Sequence, residues 1–562
     1  MTQNRDQADA LAAPLDAMLA EAGEGTLRRM LPGRSALRMV AQLARKSDVV
    51  VPRVGAAALE LGKVALGSSQ VQPSRRDRRF ADPAWAHNPF LQRLMQGYLV
   101  TGRVAEEFIV LADLGWQDER RVRFMIMNLT EALSPSNVPL VNPASARAAL
   151  EYGGLSLLKG AANLMSDMRS APRVPTMVDT AGFEVGENIA ASPGAVVYRS
   201  EVFELIQYTP QTKRVRTVPL VIVPPTINKF YAMDLAPGRS MVEYLVQNGE
   251  QVFVLSWRNP DARHANWGIE TYIDAVVEAL DVVARITRSD KAVLAGACSG
   301  GIITGATAGY LEATGQLDRL AGLTLLVTVL DNERAGDAAA LSSKAALSAA
   351  KRLSRRKGYL DGAALAEMFA WLRPGDLIWN YWVNNYLVGN KPPAFDILFW
   401  NSDTTRMSAQ LHADFIDIAS ENLLTQADAL RVHDLPVDLA RVKTDNYVVA
   451  GIADHITPWQ SCYRTVELLG GDSRFVLSAS GHIAALVNPP TNEKATYQVN
   501  QELPPEADAW LSGAQTQAGS WWPDWLAWLA ERSGADKVAP KTLGGSGLDP
   551  LADAPGTYVF DR

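Results

Sequence analysis

The chain has 562 residues, 48% of them hydrophobic and 20% charged, and its 54 Lys and Arg against 61 Asp and Glu give a formal net charge of −7. That balance excludes a generally basic, nucleic-acid-binding protein and a disordered composition, while the length leaves room for two to four domains. The two cysteines, Cys298 and Cys462, exclude a disulfide framework and point to a reducing, cytoplasmic setting. With no apolar run of about 18 residues, no transmembrane segment is expected.

Residues 1–25 are polar and acidic, lack the layout of a signal peptide, and read as a disordered start. From Leu27 to Arg79 the chain turns basic, with Arg28, Arg29, Arg34, Arg38, Arg45, Lys46, Arg53 and Lys63. Apolar residues interleave at helical spacing: Leu37, Val40, Ala41 and Ala44, then Ala57, Leu61 and Val64. This predicts amphipathic helices with a basic face, either solvated or docked on an anionic or lipid-like surface. DPAWAHNPF opens a further helix, and 120–133 and 144–165 are also helical in pattern. Residues 1–190 are therefore expected to form an α-helical N-terminal domain.

The pattern then changes. Strands are predicted at 201–208, 218–225, 252–257, 291–295, 323–330, 446–451 and 474–478, most separated by helical stretches. Several are continuous apolar runs, as in a mostly parallel sheet covered on both faces. Residues 191–562 are expected to be one α/β domain. Within it, 332–445 carries no strong strand, is alanine-rich around 337–350, and reads as an inserted helical cap. SWWPDWLAWLAERSG forms a Trp-rich amphipathic helix, and the last thirty residues read as loop. Trp is abundant enough that some are expected to face a partner or an apolar substrate.

The stretch KAVLAGACSGGIITG (291–305) organises this domain. A short strand stops at Gly296, and a helix follows Cys298, Ser299, Gly300 and Gly301. This is the nucleophile elbow of the α/β-hydrolase fold, with cysteine where serine usually stands. Glycines two residues either side of Cys298 remove Cβ atoms that would collide across the turn. The helix end offers N–H groups to a developing oxyanion. A buried structural cysteine is the bland alternative.

A cysteine nucleophile needs a base and a group to orient it. In this fold the order is nucleophile, acid, histidine. His482 follows the last strong strand in RFVLSASGH, and Asp454 follows the preceding one in NYVVAGIAD. Asp331, after LTLLVTVL, is the competing acid. His455 adjoins Asp454 and reads as a hydrogen-bonded loop or core residue, and nothing in the pattern places His264 or His412 at the site. One oxyanion N–H is expected from Ser299. The other comes from VIVPPTINKF, whose prolines have none, so the donor is Thr226 or beyond and Ile227 is the natural choice.

These motifs, with DPAWAHNPF, FEVGENIA, VPPTINKFYAMDL, SWRNPDARH, GACSGG, the long LRPGDLIWNYWVNNYLVGNKPPAFDILFWNSDTTR, ADHITPW and GHIAALVNPP, resemble the class II, Pseudomonas-type polyhydroxyalkanoate synthases. The likeness runs from about Phe80 onward. It implies nucleophile Cys298, acid Asp454, histidine His482, and oxyanion amides at Ile227 and Ser299. It further implies polymerisation of medium-chain (R)-3-hydroxyacyl-CoA into polyester, a homodimer formed through the cap, and attachment to cytoplasmic polymer granules. No metal, P-loop or dinucleotide fingerprint stands in the sequence, so no cofactor beyond the substrate's coenzyme A is expected. A thioesterase or polyester depolymerase of the same fold is the rival reading, and a non-catalytic granule protein is a second.

Overall fold

The computed structural model describes residues 33–75, 77–169, 171–332 and 344–562. The expected disordered start lies outside these residues, as does the first half of the alanine-rich stretch around 337–350. The chain divides into two compact units. Among the described residues, a helical unit takes 33–179 together with 363–395, and a sheet unit takes 180–362 and 396–562.

The sheet unit is built on eleven strands: β1 (Gly194–Arg199), β2 (Phe203–Tyr208), β3 (Leu220–Val223), β4 (Val252–Trp257), β5 (Ala292–Ala297), β6 (Leu320–Leu326), β7 (Asn446–Gly451), β8 (Ser473–Ser478), β9 (Thr496–Val499), β10 (Gln515–Ala518) and β11 (Ala552–Asp553). Their order across the sheet is β10-β9-β8-β7-β6-β5-β3-β4-β2-β1-β11. The middle, from β8 to β4, is parallel, and the flanks are antiparallel. Every residue of β3, β4, β5 and β7 is buried, which is why these strands are apolar on both faces. Crossover helices cover them, among them the amphipathic Ile269–Thr287, whose apolar face lies inward.

Two expectations need correction here. The predicted strand 323–330 is shifted: β6 runs from Leu320 to Leu326, because Val327 turns the chain at φ 44°. The final thirty residues are not all loop, since Asp536–Val538 and β11 both pair with the body of the unit. The tryptophans of the C-terminal helix Trp522–Ala530 are core residues: Trp521, Trp522 and Trp525 are fully buried.

The helical unit contains α1 (Arg34–Arg45), α2 (Ser47–Leu66), α3 (Pro89–Ala112), α4 (Trp116–Ala132), α5 (Pro143–Glu151) and α6 (Leu155–Asp167). Asn88 and Asn142 cap α3 and α5 with proline at the first helical position, the expected reading of NPF and NP. Part of the expected cap belongs here. Residues 363–395 include the π-helical turns Gly375–Trp379 and Trp382–Leu387. Gly160 in α6 lets the Tyr386 backbone come so close that any Cβ would collide with its carbonyl. Ser145 Oγ donates to the Leu387 carbonyl at 3.1 Å, and Asn163 Nδ2 to that of Asn385 at 3.0 Å. The stretch read as one insertion, 332–445, is thus divided between two bodies.

Arg38, Arg45, Arg53 and Lys63 of α1 and α2 are exposed, as the basic face implied, and several reach acidic groups of neighbouring helices. Arg38 pairs with Asp118 of α4 at 2.6 Å, Arg53 with Glu107 of α3 at 3.1 Å, and Lys46 with Asp113 at 3.5 Å. The apolar residues Leu37, Val40, Val51, Leu59 and Leu66 are exposed as well. No described helix is long and apolar enough to cross a membrane.

Candidate active site

Strand β5 ends at Ala297 and the helix Ser299–Ala313 begins two residues later, so Cys298 alone makes the turn. It adopts φ 52° and ψ −120°, a conformation that L-residues rarely hold and that persists only when the surroundings impose it. Here they do. A Cβ at Gly296 would strike Thr304 and Gly301, one at Gly300 the carbonyls of Val223 and Pro224, and one at Gly301 the side chain of Thr328. The Cys298 N–H donates to the Leu326 carbonyl at 2.9 Å, and the Cys298 carbonyl accepts the Gly301 N–H at 2.9 Å. The cysteine is left partly exposed at the C-terminal end of the parallel strands, the end at which open α/β sheets bind ligands.

Asp454 lies in the loop after β7. Its Oδ1 accepts the N–H groups of Ile456 and Thr457 at 2.8 and 2.9 Å. Its Oδ2 accepts the Thr457 hydroxyl at 2.6 Å and meets His482 Nδ1 at 2.7 Å. Burial pushes the Asp454 carboxyl up, but the charge of His482, its hydrogen bond and those of Thr457 hold it below the ordinary carboxylate value. Burial likewise works against a charged His482. The Asp454 carboxylate and then Cys298, each also in hydrogen-bond contact, nevertheless hold the imidazole well above its usual pKa. With Nδ1 committed to Asp454, Nε2 is the nitrogen left for the sulfur.

The three residues chosen from chain order therefore come together. The competing acid does not join them: Asp331 meets Arg464 Nε at 2.5 Å and Asn422 Nδ2 at 3.0 Å, holding the loop after β6. Three other histidines are engaged elsewhere. His264 closes a capping box with Asp261, His412 is buried against Ser354 Oγ at 2.7 Å, and exposed His433 meets Asp274 at 2.7 Å. Among the described residues no cluster of His, Cys, Asp or Glu has the arrangement of a metal site.

The loop after β3 carries the second expected donor. The Thr226 N–H is taken by the Ser299 hydroxyl at 2.9 Å. Among the hydrogen bonds of the described residues, the Ile227 N–H makes none, nor does that of Ser299 at the first position of its helix. The Ser299 side chain and Thr457 are contributors that the sequence reading passed over. Their signals were present: D-x-x-T is the spacing of a side-chain-capped turn, and the residue after the elbow is polar yet fully buried.

A strained cysteine elbow on a mostly parallel sheet, with a carboxylate-bound histidine after the last parallel strand, defines an α/β-hydrolase-fold protein. A family model described as alpha/beta hydrolase fold accordingly matches residues 219–489, and another, described as Poly-beta-hydroxybutyrate polymerase (PhaC) N-terminus, matches 76–245. Poly(3-hydroxyalkanoate) polymerase 2 of Ectopseudomonas oleovorans is 47% identical over 503 residues, 90% of each chain. Polymerase 1 of the same organism is 47% identical over 528 residues, 94% of each. The poly(3-hydroxyalkanoate) polymerase subunit PhaC of Cupriavidus necator is 39% identical over 509 residues, 88% of this chain and 85% of that one. The chain belongs to the poly(3-hydroxyalkanoate) polymerase family.

Proposed function

We propose that this protein is an acyltransferase that polymerises (R)-3-hydroxyacyl-CoA, of medium chain length, into polyester with release of coenzyme A. The observation that carries the reading is the Cys298 elbow beside a histidine bound through Nδ1 to Asp454, in a chain of this family.

In this reading Cys298 Sγ gives its proton to His482 Nε2 and attacks the thioester carbonyl. The oxyanion forms against the Ile227 and Ser299 N–H groups, whose fixed dipoles stabilise charge without reorganising. The carbonyl re-forms, coenzyme A leaves as its sulfur takes the proton from His482, and an acyl-Cys298 thioester remains. Exchange between two thioesters is nearly thermoneutral, which suits cysteine better than serine. A 3-hydroxyl then loses its proton to His482 and attacks the acyl-Cys298 carbonyl, and the sulfur departs as thiol with that proton. Each cycle adds one ester bond. Asp454 keeps the imidazole in orientation and stabilises its charged form. The chemistry calls on no cofactor, since coenzyme A arrives with the substrate.

The test is incubation with (R)-3-hydroxyoctanoyl-CoA. Polymer plus coenzyme A supports the reading. Free hydroxy acid plus coenzyme A would make the protein a thioesterase.

The proposal extends to the polymer surface and to a second copy of the chain. Exposed Leu150, Tyr152, Leu155 and Leu158 on and beside α5 and α6, with Leu37, Val40 and Leu59 on α1 and α2, give the helical unit an unusually apolar exterior. Its occupant in this reading is the polyester granule, which places the protein on cytoplasmic granules. Sedimentation with and without substrate tests the homodimer.

A further inference from the structure

Lys229 stands two residues after Ile227, on the same loop, and is 3% exposed. Such burial of a lysine calls for partners. Its Nζ donates to the Asp561 carbonyl at 2.7 Å and reaches the Tyr558 carbonyl at 3.5 Å. The Lys229 carbonyl in turn accepts Trp400 Nε1 at 2.7 Å. Burial lowers the Lys229 pKa to about 8, with Asp403 and Asp561 opposing and Arg562 and Arg406 adding to the fall.

The tail that receives this ammonium is itself held at many points. The fully buried Glu204 carboxylate accepts the N–H groups of Thr557 and Tyr558 at 2.8 and 2.9 Å. Arg258 donates to the Tyr558 hydroxyl at 2.5 Å and stacks on its ring. Asn259 Nδ2 reaches the Asp561 carbonyl at 3.3 Å. Arg562 pairs with Asp403 at 2.6 Å, and Asp403 also accepts the Tyr231 hydroxyl at 2.7 Å. Residues 557–562 therefore form a fixed strut behind the loop. On the other side, the Ser299 hydroxyl holds Thr226. Between these two attachments lies Ile227 with its N–H unused, followed by Asn228 in the left-handed region at φ 69°.

We propose that Lys229 is a positioning residue: by tying the loop to the tail carbonyls it aims the Ile227 N–H at the oxyanion of the acyl-transfer step. This rests on the reading that Cys298 carries the acyl transfer, with Ile227 as an oxyanion donor. Without that tie the loop keeps the Trp400 Nε1 bond to the Lys229 carbonyl and the Asn228 Nδ2 contacts to the Trp400 and Asn401 carbonyls but loses its anchor to the tail, and electrostatic stabilisation of this kind depends on donors fixed in advance.

The test compares Lys229→Met with the unaltered full chain in two assays. Coenzyme A release from (R)-3-hydroxyoctanoyl-CoA reports the step that builds an oxyanion. Alkylation of Cys298 by iodoacetamide reports thiol reactivity through a step that builds none. The expected result is a fall in kcat of roughly 10- to 100-fold with KM changed by less than about 3-fold, and an unchanged alkylation rate. A chain ending after Val559, which lacks the Asp561 carbonyl, is expected to show the same selective loss. Combining it with Lys229→Met should add little to the loss of kcat, because the shortened chain already lacks the Lys229 tie to Asp561 along with those of Arg562 and Asn259. Wild-type kcat in Lys229→Met, equal losses in both assays, or failure of both variants to fold would each overturn the proposal. Failure of the underlying reading looks different, since Cys298→Ala would then still release coenzyme A.

Discussion

In the sheet unit the largest side chains point inward, and Trp510, Trp521, Trp522 and Trp525 are buried beneath the strands. In the helical unit Leu37, Leu59, Leu150, Leu155 and Leu158 point outward, and arginines of α1 and α2 bond to neighbouring helices. The first unit is arranged around what it largely hides: a carboxylate at 3% exposure and a histidine, with a strained cysteine left partly open above them. The second is arranged around what it shows. The difference teaches that abundance of apolar residues has two meanings, and that only the partner of each face tells them apart.

Breaking the comparison begins with the largest effect. Cys298→Ala is expected to reduce coenzyme A release by about 10⁴-fold or more, while circular dichroism and granule partition stay as they were. Loss of partition as well would mean that the two units do not divide the work. Asp454→Asn should lower kcat by about 10²- to 10⁴-fold, because the imidazole loses its orienting carboxylate. Acylation slows without stopping, and an unaltered rate would move the acid role to Asp331. On the other unit, Leu150→Gln, Leu155→Gln and Leu158→Gln together should weaken partition onto polyester particles by about 100-fold, at about 1 kcal/mol for each apolar side chain withdrawn from the surface. Soluble turnover should change by less than about 2-fold. If turnover falls with partition, the outward face also serves the chemistry.

The smallest effect concerns stability of the sheet unit. Glu250 is buried with Oε1 unpartnered, and burial pushes its carboxyl up to about 7. Because the folded chain holds this proton more tightly than the unfolded chain, the stabilisation is full below about pH 4.5 and lost as pH rises through 7. Glu250→Gln should therefore raise the apparent Tm by a few degrees at pH 8 and give no gain at pH 4.5. Equal Tm shifts at both values would count against a titrating Glu250.

The parts of the site that follow one another in the chain were legible. GACSGG announces a strand, a turn without Cβ atoms and a helix, and the loops after β7 and β8 deliver Asp454 and His482 in the order the fold demands. The buried parallel strands were equally plain, because burial on both faces leaves an apolar run. β9 and β10 were not: TYQV and QTQA sit at an antiparallel edge, half-buried and exposed, so no apolar run marks them. The exposure of Leu37, Val40 and Leu59 on α1 and α2 was not legible either. Periodicity shows that a helix has two faces, but not which one meets a neighbour. The tail behind Lys229 was invisible, since a lysine bound to main-chain carbonyls leaves no trace in the identity of its partners.

The pairing of α5 and α6 with residues 363–395 also bears on how the protein is made. A ribosome finishes the first 179 residues long before it reaches Ala363, and at about 5–20 residues per second the wait lasts some tens of seconds. During that interval the nascent helices lack the backbone that Gly160 and Asn163 receive, while the elbow strand and its helix are being synthesised. The packing of α5 and α6 can therefore be completed only after residues 363–395 have emerged. A fragment that stops before residue 363 should be poorly folded, and slowing or hurrying translation across this span is a lever on yield that leaves the sequence of the product untouched.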